Sequence, residues 1–200
     1  MRALVYLTPA CLVVIVGCSA PLASPDDNAP KEEAVAPSKA EALYTQAVAA
    51  RRREDLDAAI DLAEKALVED PELVMCRVRL TEWLQEKGFP LSKSKRWDEA
   101  APLFLRSAKL ARTLKGQKDP FTDIPGILVT SVYNEACAYS MTGEKEKALA
   151  SLEEALELGF LDREFAQPPS PKELFLSDPD LDSLREEKRF EELRAKYLPE

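Results

Sequence analysis

The sequence predicts an all-α protein built from repeated helical hairpins. From Lys39 onward, apolar residues recur at intervals of three and four, which is the period of an amphipathic helix. The 200 residues include only six glycines, too few for a fold of strands and tight turns. A pattern of small and bulky residues also recurs in three places along the chain, which indicates internal repeats.

Residues 1–17 have the features of a secretory signal peptide. Arg2 supplies a positive charge, and an apolar stretch follows from Leu4 to Val16. This stretch is shorter than the roughly 20 residues that a membrane-spanning helix needs. The small residue Gly17 directly precedes Cys18, an order that resembles the lipobox of bacterial lipoproteins. The resemblance implies cleavage before Cys18 and a covalent diacylglycerol and N-acyl lipid on it, and no other cofactor is expected.

The lipid implied for Cys18 predicts where the protein is found. Two or three acyl chains hold a protein on a membrane without a spanning helix, because each buried methylene contributes about 0.8 kcal/mol. The non-acidic Ser19 follows the cysteine, which in bacteria with two membranes implies the outer membrane, facing the periplasm. We therefore expect a lipid-anchored protein of the bacterial cell envelope. An ordinary cleaved signal with a chance cysteine is the alternative.

Residues 18–38 are predicted to form a tether that begins at the lipidated cysteine. The segment is rich in Pro, Ala and Ser and has no aromatic residue, so it cannot bury a core. A fully stretched chain of this length reaches roughly 60 Å at about 3 Å per residue. We predict a disordered linker between the membrane and a folded domain.

Three helical hairpins are predicted within residues 39–159. The second helix of each carries two small residues seven positions apart: Ala59 and Ala66, Ala100 and Ser107, Ala148 and Ala155. Positions with this spacing share one helix face, so the small residues allow a partner helix to approach closely. The pattern resembles the tetratricopeptide repeat (TPR), a helix-turn-helix unit. This resemblance implies a superhelix of about three repeats, although small residues at helical spacing also occur in ordinary helical bundles.

Two segments depart from the repeat pattern. Phe89–Arg96 is predicted as a long loop between the helices of the second hairpin, where the motif has a tight turn. Lys115–Pro125 is predicted as an irregular connection between the second and third hairpins. Long loops are often functional, so the first of them is a candidate for partner contacts.

Residues 160–200 are predicted to contain a connection and capping helices. Their sequence resembles the segment that ends many bacterial TPR proteins. The last repeat of an array leaves an apolar face that must be covered. The residues predicted to cover it are Leu181, Leu184, Phe190, Leu193 and Tyr197. A terminal helix that docks a partner is the alternative.

Composition excludes several classes of function. The chain has 27 Lys and Arg against 36 Asp and Glu, a net charge of −9, so we expect no binding to nucleic acid. It contains no histidine, which removes Ser-His-Asp catalysis and histidine-based metal sites. We predict neither a catalytic site nor a metal site, and a hydrolytic enzyme is a remote alternative. Cys76 and Cys137 are predicted either as small buried residues or as a disulfide.

The TPR resemblance places a binding groove on the first helix of each unit. The residues predicted to line it are Tyr44, Val48, Arg51, Arg52, Val78, Glu82, Tyr133 and Asn134. Some TPR proteins grip a terminal carboxylate with Lys and Asn, but Tyr44 and Val48 occupy those positions here. A mixed polar and aromatic groove suits a peptide or helix of a partner protein. The predicted function is a membrane-tethered protein-interaction scaffold, and self-association through an uncovered repeat face is the alternative.

Overall fold

The structure, a computed structural model, describes residues 36–166 and 168–199, so the signal peptide, Cys18 and most of the predicted linker lie outside it. The described residues form helices and no strand, which confirms the all-α prediction. The α-helices are α1 (Lys39–Arg52), α2 (Leu56–Glu69), α3 (Val74–Lys93), α4 (Trp97–Arg112), α5 (Ile124–Met141), α6 (Lys145–Glu157), α7 (Pro171–Ser177) and α8 (Lys188–Tyr197). Short 3-10 helices occupy Phe160–Asp162 and Pro179–Leu184. Within these ranges, no helix combines the length and apolar character required to cross a bilayer.

Three hairpins, α1–α2, α3–α4 and α5–α6, share one three-residue turn. The central residue of each turn has a left-handed backbone, with φ of 64° at Glu54, 60° at Lys95 and 83° at Gly143. In each turn the next amide donates to the carbonyl five residues earlier: Asp55 to Ala50 at 3.1 Å, Arg96 to Leu91 at 2.9 Å, and Glu144 to Tyr139 at 2.8 Å. This bond closes the end of the first helix in the manner of a Schellman motif. The hairpins are therefore repeats of one local structure.

The second helices also match when positions are counted from these turns. Five residues after the central turn residue lie Ala59, Ala100 and Ala148, and twelve residues after it lie Ala66, Ser107 and Ala155. All six side chains are fully buried. Gly88 has the same role on α3, because a Cβ atom there would lie 3.0 Å from the ring of Phe104. The small residues thus mark the close contacts between helices.

The predicted long loop at Phe89–Arg96 is wrong. Helix α3 continues through Pro90 to Lys93, and a tight turn at Ser94–Arg96 follows. Pro90 removes one helical hydrogen bond, but it lies on the exposed side of the helix. Leu91, one residue later, packs against both main cores of the domain. Burial of Leu91 and the common turn geometry together keep this segment helical.

The predicted irregular connection at Lys115–Pro125 corresponds to the segment between Arg112 and Ile124. It contains an isolated bridge between Asp119 and Thr122. It ends at Asp123, whose Oδ1 accepts a hydrogen bond of 3.0 Å from the amide of Gly126 and so caps α5.

Cys76 and Cys137, the cysteines within the described residues, are buried free thiols and form no disulfide with each other. Cys76 donates a hydrogen bond of 3.4 Å to the carbonyl of Ala63, and burial raises its pKa to about 11. Of the two alternatives, the small buried residue is the one observed.

We expect Ala59→Trp to destabilise the first hairpin by about 3 kcal/mol or more. Ala59 is fully buried between α1 and α2, and no rotamer of an indole fits where only a methyl group is accommodated. Thermal unfolding of the full-length protein measures the effect. Val68→Trp on the same helix is the control, since Val68 is 79% exposed. Equal melting temperatures for the two variants would show that α1 and α2 do not pack at Ala59.

The C-terminal segment covers the third hairpin. Phe175, Leu181, Leu184, Phe190 and Leu193 are buried in the same hydrophobic cluster as residues of α5 and α6, and Tyr197 packs against that cluster half-buried. The cluster also contains Phe160, whose ring stacks on that of Tyr133 with centroids 4.1 Å apart. The apolar face of the last hairpin is therefore closed by residues of the same chain.

Candidate functional site

Helices α1, α3 and α5 are the first helices of the three hairpins, and side-chain hydrogen bonds join them. Arg51 of α1 donates to Glu86 of α3 with an Nε–Oε2 distance of 3.2 Å. Gln85 of α3 accepts from Asn134 of α5 and donates to Ser131 of α5, both at 2.8 Å. The buried amide of Gln85 is satisfied on both atoms, which fixes the position of α3 against α5. We call the surface along these three helices the first-helix face.

One cleft, of about 510 Å³, lies between α1 and α3, and we call it the arginine cleft. Its lining combines charged groups with an apolar floor: Val48, Arg51, Arg52, Arg79, Glu82, Trp83 and Glu86. Arg51 pairs with Glu86 across the cleft, and Arg79 pairs with Glu82 on the same helix at 2.7 Å. Arg52 is exposed and takes part in no ion pair among the described residues. The arginine cleft therefore offers one cation without an internal counter-ion.

Two further clefts continue the first-helix face toward α5. The central cleft, of about 460 Å³, shares Arg79 and Glu82 with the arginine cleft and reaches Phe121 and Phe165. The aromatic cleft, of about 410 Å³, shares Phe165 with the central cleft. Its lining is Gln85, Phe89, Thr130, Tyr133, Asn134, Cys137, Phe160, Phe165, Leu174 and Asp178. Shared lining residues make the three clefts one continuous depression.

The exposed phenylalanines all line these clefts. Of the seven phenylalanines in the chain, the exposed ones are Phe89, Phe121 and Phe165, and Phe121 is 95% exposed. Phe121 lines the central cleft, Phe89 the aromatic cleft, and Phe165 both. Large apolar side chains left in water at one place usually mark an interaction surface. The first-helix face is therefore the candidate site for a partner.

The structure brings four of the predicted groove residues together. Val48, Arg51, Arg52 and Glu82 all line the arginine cleft. Tyr44 is half-buried beside it, where burial raises the pKa of its hydroxyl and the charge of Arg79 acts in the opposite direction. These positions follow from the helical period of α1 and α3, which the sequence alone makes visible.

Val78 is a correction, whereas Tyr133 lines the aromatic cleft but is far more buried than predicted. Val78 is fully buried and packs with Leu114 and Ile124, because the connection before α5 folds over that part of α3. Tyr133 is buried beneath the C-terminal segment, where its hydroxyl donates a hydrogen bond of 2.8 Å to Asp178. In both cases a connecting segment covers a position that helical periodicity assigns to the surface.

Asn134 is half-buried at the edge of the aromatic cleft. Sequence reasoning missed Arg79, Trp83, Phe121 and Phe165 as residues of the clefts. Phe121 and Phe165 carried a signal nonetheless, because both stand in short segments between helices where no core position requires a phenyl ring.

A cluster of acidic groups lies below the aromatic cleft. The sulfur of Cys137 and carboxylate oxygens of Asp178 and Asp180 lie within 4.8 Å of one another. Burial, followed by the charges of Asp178 and Asp182, raises the pKa of Asp180 to about 6. Burial also raises the pKa of the Cys137 thiol well above its ordinary value. Thiolate is the form that binds metals, so the cluster has no ready sulfur ligand.

We expect Asp180→Asn to raise the free energy of unfolding at pH 7 by about 1 kcal/mol, a figure reduced for solvent screening. The folded state binds the Asp180 proton more tightly than the unfolded chain does, since the ordinary pKa is 3.8. Stability should therefore fall as the pH rises from about 4 to about 6 and change little above that range. Urea denaturation at several pH values across this range measures the free energy of unfolding. Asp61→Asn, a change in an exposed residue of α2, is the control, and an unaltered pH profile in Asp180→Asn would contradict the prediction.

No protein-family model matches the chain, and no curated protein matches it.

Proposed function

We propose that this protein is an interaction scaffold of the bacterial cell envelope, formed by TPR-type repeats on a lipid tether at Cys18. The observation that carries the proposal is the coincidence of the three adjoining clefts with the three exposed phenylalanines. Aromatic anchors within a depression that also has charged groups are typical of protein interfaces. The partner is a protein segment held on the first-helix face.

The common turns and the matching small residues support assignment of the hairpins to the TPR type. Each turn is three residues long, with a left-handed central residue. The buried small residues of α2, α4 and α6 stand at the positions where the motif has them. Repeats of this kind present their first helices as one extended surface, which agrees with the clefts on α1, α3 and α5.

The proposal of a lipid tether is based on the sequence around Cys18. We expect Cys18→Ser to move the protein from the membrane to the soluble fraction, because one residue carries all of the acyl chains. Cell fractionation and metabolic labelling with a radioactive fatty acid measure the change, with Cys11→Ser as the control within the apolar stretch. If the Cys18→Ser protein stays on the membrane and carries label, lipidation at this position is wrong.

The scaffold function is tested by cross-linking in the native envelope. The full-length tagged protein is cross-linked, purified and compared with the double variant Arg52→Glu and Phe121→Ser, which alters the clefts. The control is the double variant Arg53→Glu and Val68→Ser, with the same kinds of change at exposed positions outside them. We expect one main partner with the native protein and the control, and its loss with the cleft variant.

Self-association is the other outcome of this experiment. If the only cross-linked product is a second copy of the chain, and sedimentation shows a concentration-dependent dimer, the first-helix face is a homotypic interface and the scaffold proposal fails. A partner retained equally by all three proteins would also count against it.

A further inference from the structure

The two ends of the first-helix face differ in charge. The arginine cleft has three arginines and two glutamates, although the chain as a whole has a net charge of −9. Both glutamates form ion pairs, Glu86 with Arg51 and Glu82 with Arg79. The positive charge of Arg52 is therefore available to a ligand. A segment bearing a carboxylate is therefore favoured at the α1 end of the face.

The opposite end is apolar. Phe89, Phe165, Phe160 and Leu174 line the aromatic cleft, and Phe160 and Phe165 meet edge to face with centroids 6.1 Å apart. Asp178 is the charged residue in the lining, and Tyr133 already donates to it. A bulky apolar side chain gains burial in this cleft, whereas a charged one would lose its water without finding a partner.

The central cleft between these ends is lined by two ion pairs and by Glu164, which forms no ion pair within the described residues. Arg163 pairs with Asp123, and Arg79 with Glu82, so neither pair leaves an excess charge. Asn134, at the aromatic end, donates to Gln85, and its carbonyl oxygen accepts no hydrogen bond within the described part of the chain. That oxygen is available to accept a backbone amide from a segment that lies across the face.

The length of the face favours an extended segment. Packed helices are about 8–10 Å apart, so the path from α1 across α3 to α5 is about 20 Å or more. An extended chain covers that distance with roughly six residues, at about 3.3 Å per residue. A helix uses its backbone amides for its own hydrogen bonds, so it could not donate one to the free side-chain oxygen of Asn134, whereas an extended segment can.

We infer that the docking element of the partner is an extended segment of about six to eight residues with acidic side chains at one end and an aromatic or bulky aliphatic residue at the other. The acidic end lies at Arg52 in the arginine cleft, and the apolar end fills the aromatic cleft. The inference rests on the proposed function, because it names the chemistry of a partner for the same face.

Synthetic peptides test this chemistry directly. The probe is the octapeptide Asp-Glu-Ser-Gly-Ser-Gly-Leu-Phe with blocked ends and a fluorescent label, titrated with the full-length protein in detergent. Two matched peptides replace Asp-Glu by Lys-Lys, or Leu-Phe by Ser-Ser. We expect fluorescence anisotropy to give at least tenfold weaker binding for each replacement.

Charge reversal separates recognition from a general effect on folding. Arg52→Glu should weaken binding of the acidic peptide at least tenfold and strengthen binding of the lysine peptide. Arg53→Glu, the same change at the next residue outside the cleft, should alter neither. Phe165→Ser, in the lining of the aromatic cleft, should weaken binding of both peptides that carry Leu-Phe, whereas Val68→Ser should not. Circular dichroism melting shows whether each variant is folded.

The outcomes distinguish this inference from the proposed function. Preference for the acidic peptide, reversed by Arg52→Glu, supports the inference. Equal binding of acidic and lysine peptides, or no saturable binding of any of them, overturns it. If the cross-linked partner is still lost from the cleft variant in that case, the scaffold proposal stands without it. If that partner is unaffected by the cleft variant, both are overturned.

Discussion

Replacing Arg112 by alanine should lower the free energy of unfolding by about 3–5 kcal/mol, because it leaves a buried carboxylate without a counter-ion. The carboxylate belongs to Glu135 of α5, which is 5% exposed. Arg112 of α4 donates to both of its oxygens, and Ser151 of α6 donates a further hydrogen bond of 2.8 Å. Arg112 also donates to Glu154 of α6, with distances of 2.7–3.1 Å.

This network joins three helices of two successive hairpins. The hydrogen bonds that Arg112 donates to Glu135 and to Glu154 raise its pKa above the ordinary value, so the guanidinium remains charged. Loss of the arginine therefore removes the ion pair between α4 and α5 and leaves the buried carboxylate of Glu135 without a counter-ion.

Urea denaturation of the full-length protein measures the effect. Arg106→Ala is the matched control, since it removes an arginine from the same helix that is half-exposed and pairs with Glu64 at the surface. A surface ion pair of this kind contributes about 1 kcal/mol or less. The double variant Arg112→Met and Glu135→Leu should be more stable than Arg112→Ala, because no buried charge is then left unpaired. Equal stability of Arg112→Ala and Arg106→Ala would show that Glu135 is hydrated.

Local periodicity predicted the second helices well. Ala59, Ala100 and Ala148 could be aligned from the sequence because small residues at fixed spacing have one physical role, the close approach of two helices. The prediction failed for α3, which does not end before Phe89 but continues past Gly88 and Pro90 to Lys93. The ring of Phe104 packs against the backbone at Gly88, and Pro90 lies on the exposed side, so neither residue ends the helix. These arrangements depend on tertiary structure, which a local sequence pattern does not contain.

The candidate site could be predicted only in part for the same reason. Positions on α1 and α3, such as Val48 and Glu82, follow from the helical period and line the arginine cleft. Val78 and Tyr133 have surface positions by that period, yet segments distant in sequence cover them. Two of the three aromatic anchors, Phe121 and Phe165, stand in connections, where no periodicity exists. A groove that is closed by loops and by the C-terminal segment is therefore visible only in the folded chain.

Replacing Phe190 by alanine should destabilise the protein by about 3–5 kcal/mol and detach the C-terminal segment from the third hairpin. Phe190 is 2% exposed and stacks on Phe175 with ring centroids 5.2 Å apart. The guanidinium of Arg185 lies 5.7 Å from the centroid of the same ring. Truncation to alanine leaves a cavity under α8 and removes both aromatic contacts.

The expected fall in melting temperature is about 10 °C, from roughly 2–4 °C per kcal/mol for a domain of this size. Phe121→Ala is the matched control, because it removes the same atoms from a side chain that is 95% exposed. The melting temperature of Phe121→Ala should stay within about 2 °C of the native value.

The pair of variants also distinguishes two roles for the C-terminal segment, a cap on the third hairpin and a docking helix for a partner. A cap must unfold with the hairpin that it covers, so Phe190→Ala lowers the stability of the whole domain. A helix that serves only to dock a partner has no such coupling, and Phe190→Ala would then melt like Phe121→Ala.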